Sequence, residues 1–394
     1  MTSGRVVYEP FGRDTWRDPF TLYRRLRDED PIHRSPLGFW VLSRFQDVFE
    51  AVKDTATFSS ASGLTFQNER KALNLPPTIV MMDPPDHTRY RRLVDRGFTP
   101  RRTTDLEPEL RRFVALRLED LKRAGKGDFV ATVARSIPSW VVAHYLGVPE
   151  EDRFRFEGWT SAFVQANAMG HGAGIGAALG DLIAYFSELV ERRRREPSDD
   201  LVSVLLRADE DGVGVGLEGI LGYAFVMIAG GNDTTTGLLT GAAELLTKHP
   251  SQRDRLRADP ALIPNAVEEF LRLTTPVQGL CRVATRDVTF HGGTTIKAGE
   301  RVLLSYAAAN RDPREFGPDA EEVDIGRHIV RHLAFSIGAH FCLGAAAARL
   351  QGRVVLEELL ARCPNFAVDA DAGVFADGAF TRRYESLPIV IDAR

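Results

Sequence analysis

Apolar positions recur at intervals of three and four through most of the chain beyond residue 83. That spacing predicts helices over residues 106–121, 130–146, 182–190, 217–246 and 343–360. Asp83-Pro84-Pro85 reads as a helix start with prolines in the first turn, and Asp259-Pro260 as an N-cap followed by proline at N1. A further helix begins near Pro264 and must stop before Pro276. Strand patterning is confined to Phe39-Trp40-Val41-Leu42, Val288-Thr289-Phe290 and Val302-Leu303-Leu304, with Gly292, Gly293 and Gly299 as turn signals. A short helix over 45–52 follows the first strand, and residues 375–391 suggest a small terminal hairpin. Residues 59–80 and 309–332 lack periodicity; loops of that length usually form lids or binding loops. Residues 170–180, rich in Gly and Ala, read as a mobile connection and a candidate lid. No repeat or linker divides the chain, so the expectation is one domain, residues 1–394, mainly α with a smaller β-rich region.

Composition narrows the function. With 44% hydrophobic and 26% charged residues the chain is globular rather than disordered. A net charge of -4 without a long basic stretch argues against a nucleic-acid partner. The three cysteines, Cys281, Cys342 and Cys363, are too few for a disulfide framework and suit a reducing compartment. Residues 1–10 are polar, with no signal-peptide core, and the longest apolar stretch, 220–229, is too short to span a bilayer. The expectation is a cytoplasmic protein without a membrane anchor.

The densest chemistry lies in Phe335-Ser336-Ile337-Gly338-Ala339-His340-Phe341-Cys342-Leu343-Gly344. A lone cysteine ahead of a long helical pattern sits where the helix dipole and free N–H groups favour a thiolate. Gly338 and Gly344 remove side chains where a flat macrocycle must approach backbone, and Phe335 can shield the sulfur from water. A buried free cysteine in a core helix is the plainer reading of such a residue. Grouping His328, His332, His340 and Cys342 as zinc ligands is disfavoured, because the spacing lacks paired ligands.

Three other features conflict with ordinary packing or pair unusually. Gly230-Gly231-Asn232-Asp233-Thr234-Thr235 puts two glycines, costing roughly 1 kcal/mol each, and a carboxylate inside an apolar helix. There Thr234 can bond a backbone carbonyl and open the helix. Glu269 and Arg272, at i and i+3, share a helix face. His87, Arg91, Arg282 and His340 are cations without local acidic partners, suited to two buried carboxylates. Val226, Ala229 and Gly230 share a face of the long helix with Thr234. With Leu64, Phe66 and Val80 from the early loop, Val277 and Gln278 ahead of Arg282, and Phe380 in the tail, they are candidates for an apolar pocket, though each equally suits a core.

The loop around Cys342 resembles the heme-binding signature of the cytochrome P450 family, Phe-x-x-Gly-x-x-x-Cys-x-Gly, at every position. The stretch 230–234 is similar to that family's oxygen-binding motif, and Glu269-x-x-Arg272 to its Glu-x-x-Arg motif. The resemblance spans essentially the whole chain and is nearest to mycobacterial members. It implies a fold with heme b (iron protoporphyrin IX) buried between two long helices and Cys342 as metal ligand. By the same resemblance Asp233 and Thr234 are catalytic proton donors, and His87, Arg91, Arg282 and His340 hold the heme propionates. Glu269 and Arg272 take a structural role beneath the heme. The implied activity is O2-dependent oxidation of a hydrophobic small molecule. Without a fused flavin or iron–sulfur segment, electrons are expected from a separate ferredoxin and ferredoxin reductase, docked on Arg89, Arg92, Arg96, Arg101 and Arg102. A heme sensor or a peroxide-driven enzyme is the alternative; neither requires Asp233 and Thr234.

Overall fold

Helix formation follows the apolar spacing, and the computed structural model, which describes residues 6–10, 13–66, 78–95, 97–153, 155–156, 158–159, 175–210, 215–378 and 380–391, is dominated by it. The main helices are α1 (Phe20–Glu29), α2 (Phe45–Lys53), α3 (Asp86–Asp95), α4 (Pro100–Ala124), α5 (Ser136–Leu146), α6 (Ile175–Arg195), α7 (Leu201–Glu210), α8 (Gly216–Lys248), α9 (Pro250–Ala258), α10 (Ile263–Thr274) and α11 (Ala345–Arg362). In α8 every residue from Thr235 to Glu244 is buried, so this helix has no solvent face there and must be covered all round. The covering comes from four helices. Leu110, Val114 and Leu118 of α4, Ile137 and Val141 of α5, Val267 and Phe270 of α10, and Leu350 and Val354 of α11 share one core with Leu238, Leu239 and Ala242 of α8.

The strands are β1 (Ile32–Arg34), β2 (Trp40–Leu42), β3 (Phe58–Ser59), β4 (Lys126–Asp128), β5 (Leu280–Ala284), β6 (Val288–Thr289), β7 (Thr295–Ile296), β8 (Arg301–Leu304), β9 (Phe366–Val368), β10 (Val374–Phe375), β11 (Tyr384–Ser386) and β12 (Pro388–Ile391). Five make the main sheet in the order β1-β2-β8-β5-β3. Only β2 and β8 run parallel in it. Within β5, Cys281 faces Leu303 and Arg282 faces Val302. Alternation therefore sends Cys281 and Arg282 to opposite faces. Cys281 packs with Val41 and Leu303.

Several boundaries differ from the sequence expectation, each for a local reason. Helix α4 starts at Pro100, not residue 106, because the Thr99 hydroxyl caps it at the Arg102 amide (3.3 Å), and Pro108 is accommodated inside. The stretch 130–146 divides into a wide π turn, Val130–Ala134, followed by α5. Pro84 and Pro85 stand ahead of α3 rather than in its first turn. Residues 175–180 belong to α6, so they are not part of a connection, and 170–174 lie outside the described residues. The tail is not one hairpin: β10 pairs with β11, whereas β12 turns away to lie between β4 and β9. Among the described residues no helix is long and apolar enough to cross a membrane.

Candidate active site

The cysteine loop folds as a tight hook before α11. The Cys342 amide donates to the Phe335 carbonyl at 2.9 Å, closing residues 335–342 on themselves. Gly338 turns at φ +64° and leads a single helical turn, Gly338–His340. Ser336 also holds a left-handed conformation, φ +56°. Cys342 precedes the first residue of α11 by three positions, and Gly344 occupies the N-cap. Burial pushes the Cys342 thiol up, while the Gly344 amide and the Arg91 and Arg349 guanidiniums pull it down.

Beside this hook the structure gathers His87, Arg91, Arg282 and His340, the four residues grouped from sequence. The His87 and His340 rings lie 4.3 Å apart. The charges of Arg282, His87 and Arg91, with burial leading, depress His340 to about 3. His87 is buried and its Nδ1 has no hydrogen-bond partner among the described residues. The expectation that all four lack acidic neighbours fails for Arg91. Its Nε binds Asp95 at 2.8 Å, one helical turn on, while its Nη1 donates to the Phe341 carbonyl at 2.6 Å. Of the proposed zinc group, His332 is bound to Glu268 and His340 lies against His87. Among the described residues no three His, Cys, Asp or Glu side chains gather as metal ligands.

Helix α8 passes unbroken through the second motif. The Thr234 hydroxyl donates to the Gly230 carbonyl at 2.8 Å as expected, but without interrupting the helix. The two glycines serve different ends. A Cβ on Gly231 would lie 2.7 Å from Val142 Cγ2, so its absence lets α5 and α8 approach; a Cβ on Gly230 would meet nothing within 4 Å. Gly230 thus marks an open face of α8, with Ala229, Val226 and Thr234 spaced along it. Asn232 accepts from Ser139 at 2.9 Å and anchors the opposite face to α5. Asp233 pairs with Arg383 of the tail at 2.8 Å. Burial nonetheless raises the Asp233 carboxyl, outweighing Arg383 and Arg135.

Of the remaining pocket candidates, Val80 and Val226 pack on one core cluster. Phe66 and Phe380 meet with ring centres 6.3 Å apart, and the Leu64 carbonyl accepts from Cys281. Val277 is bridged to Thr381. Gln278 is a correction: its amide donates to the Thr274 and Thr275 carbonyls and accepts from Tyr23, so it is a buried tie within the core and not a pocket wall.

Glu269 and Arg272 are fully buried and paired through two bonds of 2.7 and 2.8 Å. Arg272 reaches the Asn310 and Ala320 carbonyls, and Glu269 accepts from the Asp324 amide and Arg327. The pair therefore belongs to the core and not to a solvated helix face. Of the proposed docking arginines, Arg89 and Arg92 are exposed and Arg101 lies 3.6 Å from Asp105. Arg102 is committed to Asp199, and Arg96 lies outside the described residues. Sequence reasoning missed Arg383, Arg327, Glu268 and Arg349, since each finds its partner far along the chain.

The Cytochrome P450 family model matches residues 164–370. Cytochrome P450 130 of Mycobacterium tuberculosis is 53% identical over 388 residues, covering 95% of each chain. The chain belongs to the cytochrome P450 family. A Vitamin D(3) 25-hydroxylase from Pseudonocardia autotrophica is 38% identical over 100% of this chain and 98% of its own length. The structure of Cytochrome P450 CYP109Q5 from Chondromyces apiculatus superposes with a TM-score of 0.89 at 34% identity, over 99% of both chains. P450 proteins bind heme b, and this P450 is a heme-thiolate monooxygenase taking O2 and a small-molecule substrate. Its residues fit that cofactor. An unpaired thiol in the hook, a buried His87 nitrogen without a partner against His340, and the guanidiniums of Arg91 and Arg282 close enough to add to the burial that depresses His340, suit a flat dicarboxylate that brings its own metal.

Proposed function

We propose that Cys342 would supply the sulfur ligand to the heme iron of this P450, and that His87, Arg91, Arg282 and His340 would receive the heme propionates, with Phe335, Gly338 and Gly344 shaping the loop. When bound, the heme supplies O2 activation, which an anionic sulfur ligand promotes by pushing electron density onto iron. The chain supplies the rest. The hook of residues 335–342 fixes the backbone of Cys342 through the bond from its amide to the Phe335 carbonyl. Asp233 is the proton donor: burial favours its neutral form, and release from Arg383 frees its oxygen. Thr234, whose hydrogen is given to the Gly230 carbonyl, presents its oxygen lone pairs as a hydrogen-bond acceptor on the open face of α8.

The substrate side is the open face of α8 at Val226, Ala229 and Gly230, with Val80, Leu64, Phe66, Val277 and Phe380 as further apolar walls. A hydrophobic substrate fits these surfaces, and the Pseudonocardia relative, a vitamin D(3) 25-hydroxylase, supports the class. Electrons come from a separate ferredoxin and its reductase, which meet exposed Arg89 and Arg92 in the cytoplasm. The observation that carries the reading is the convergence of two arginines and two histidines, one with an unsatisfied buried nitrogen, beside the Cys342 hook. The test is the carbon-monoxide difference spectrum of the reduced holoprotein. The wild type should show the red-shifted band of thiolate ligation, and Cys342→Ser should lose it. Persistence of that band in the serine variant would overturn the assignment.

A further inference from the structure

Glu268 and Glu269 are neighbours on α10, and they grip two ends of the same segment. Glu269 holds the Asp324 amide (3.0 Å) and Arg327 (3.3 Å). Glu268 accepts from His332 Nε2 at 3.1 Å and from Arg349 of α11 through two bonds, 2.7 and 2.9 Å. The His332 Nδ1 accepts from the Ala334 amide, so its Nε2 carries the hydrogen given to Glu268. Between these two partners lies Phe335. The Arg349 guanidinium stands 4.7 Å over its ring, the His332 ring is 5.9 Å away, and its carbonyl receives the Cys342 amide.

Glu268 thus holds both groups that box the aromatic ring, and that ring's own backbone fixes the backbone of the cysteine. Arg349 is also one of two guanidiniums whose charge is felt at the Cys342 sulfur. Its carboxylate partner offsets that charge, in a partly buried site where screening is incomplete. We propose that Glu268 is a positioning residue for the Cys342 sulfur: it locks His332 and Arg349 around Phe335 and balances the Arg349 charge beside the ligand. This rests on the reading of Cys342 as the iron ligand.

The ferric–ferrous midpoint potential of the purified holoprotein at low salt tests it. Removing the carboxylate in Glu268→Ala leaves the Arg349 cation uncompensated and should move the potential positive. Arg349→Ala leaves the anion alone and should move it negative. The double variant should fall between the two. A merely structural clasp would disturb the loop alike in both single variants, so shifts of the same sign, or none, overturn the proposal. Glu268→Gln keeps the side chain's shape without its charge, and should give the positive shift if the alanine variant does not fold. Because Arg349 is 39% exposed, both shifts should shrink in high salt. In every variant the reduced carbon-monoxide complex should keep the thiolate band. Its absence from the wild type would sink the ligand reading itself, a separate result from unchanged potentials.

Discussion

Ser336 carries a left-handed backbone that favours glycine, and its buried hydroxyl has no partner among the described residues. A left-handed L-residue costs about 1–2 kcal/mol, and an unsatisfied buried hydroxyl about 1–3 kcal/mol. Glycine gives back part of this through its greater freedom when unfolded, roughly 0.5–1 kcal/mol. Ser336→Gly should therefore stabilise the protein by about 1 kcal/mol, seen as a higher denaturant midpoint at unchanged slope; a lower midpoint would show that the serine is held by something it touches. Cys342 was legible at this scale because its chemistry is local: ten consecutive residues specify the hook. Glu268 and Arg349 were not, since their bond joins positions 81 apart. Gln278 misled because a polar residue beside an expected pocket looks like a specificity group until its three buried bonds are seen.

Among elements, α8 carries the most consequence, and its adjacent glycines should respond oppositely to the same change. Gly231→Ala puts a methyl into the stiff, buried Val142. Overpacking of this kind costs about 1–3 kcal/mol, against roughly 1 kcal/mol of helix propensity gained. Thermal melts should show a loss for that variant and a small gain for Gly230→Ala. In the latter the methyl enters the open face, so substrate titrations followed by the iron spin state should weaken instead. Equal melting changes would remove the distinction. Periodicity located α8 and α11 well, since a 3.6-residue rhythm survives over long stretches. It missed the first turns of α4, because that end depends on a single cap, Thr99, and not on the apolar rhythm. Short strands were visible only where β-branched residues cluster; β4 and β12, far apart in sequence, pair by tertiary docking.

Across the whole molecule, ion pairs tie helices that sequence leaves unrelated. Arg111 of α4 binds Glu107, Glu357 and Glu358, and Arg353 of α11 returns to Glu107. Arg353 and Arg111 hold Glu107 at about 2, below the ordinary glutamate value of 4.5. His332 and Arg349, acting against burial, hold Glu268 at about 2 as well. A carboxylate depressed on folding stabilises fully above its unfolded value and ceases to do so as it protonates in the native state. Stability should thus hold above about pH 4.5 and fall progressively toward pH 2, and Glu107→Gln should flatten that fall in acid titrations followed by circular dichroism. An identical acid profile in wild type and variant would refute it.

The Asp233–Arg383 bond spans from the middle of the chain to its last strands, only three residues beyond Phe380. Exchanging this tail for that of a relative, to alter what the enzyme oxidises, would at one stroke exchange the counter-ion of the carboxylate on α8. On the proposed roles of Phe380 and Asp233, substrate range and proton supply are wired to the same graft, and chimaeras cut here should be built with position 383 kept as arginine.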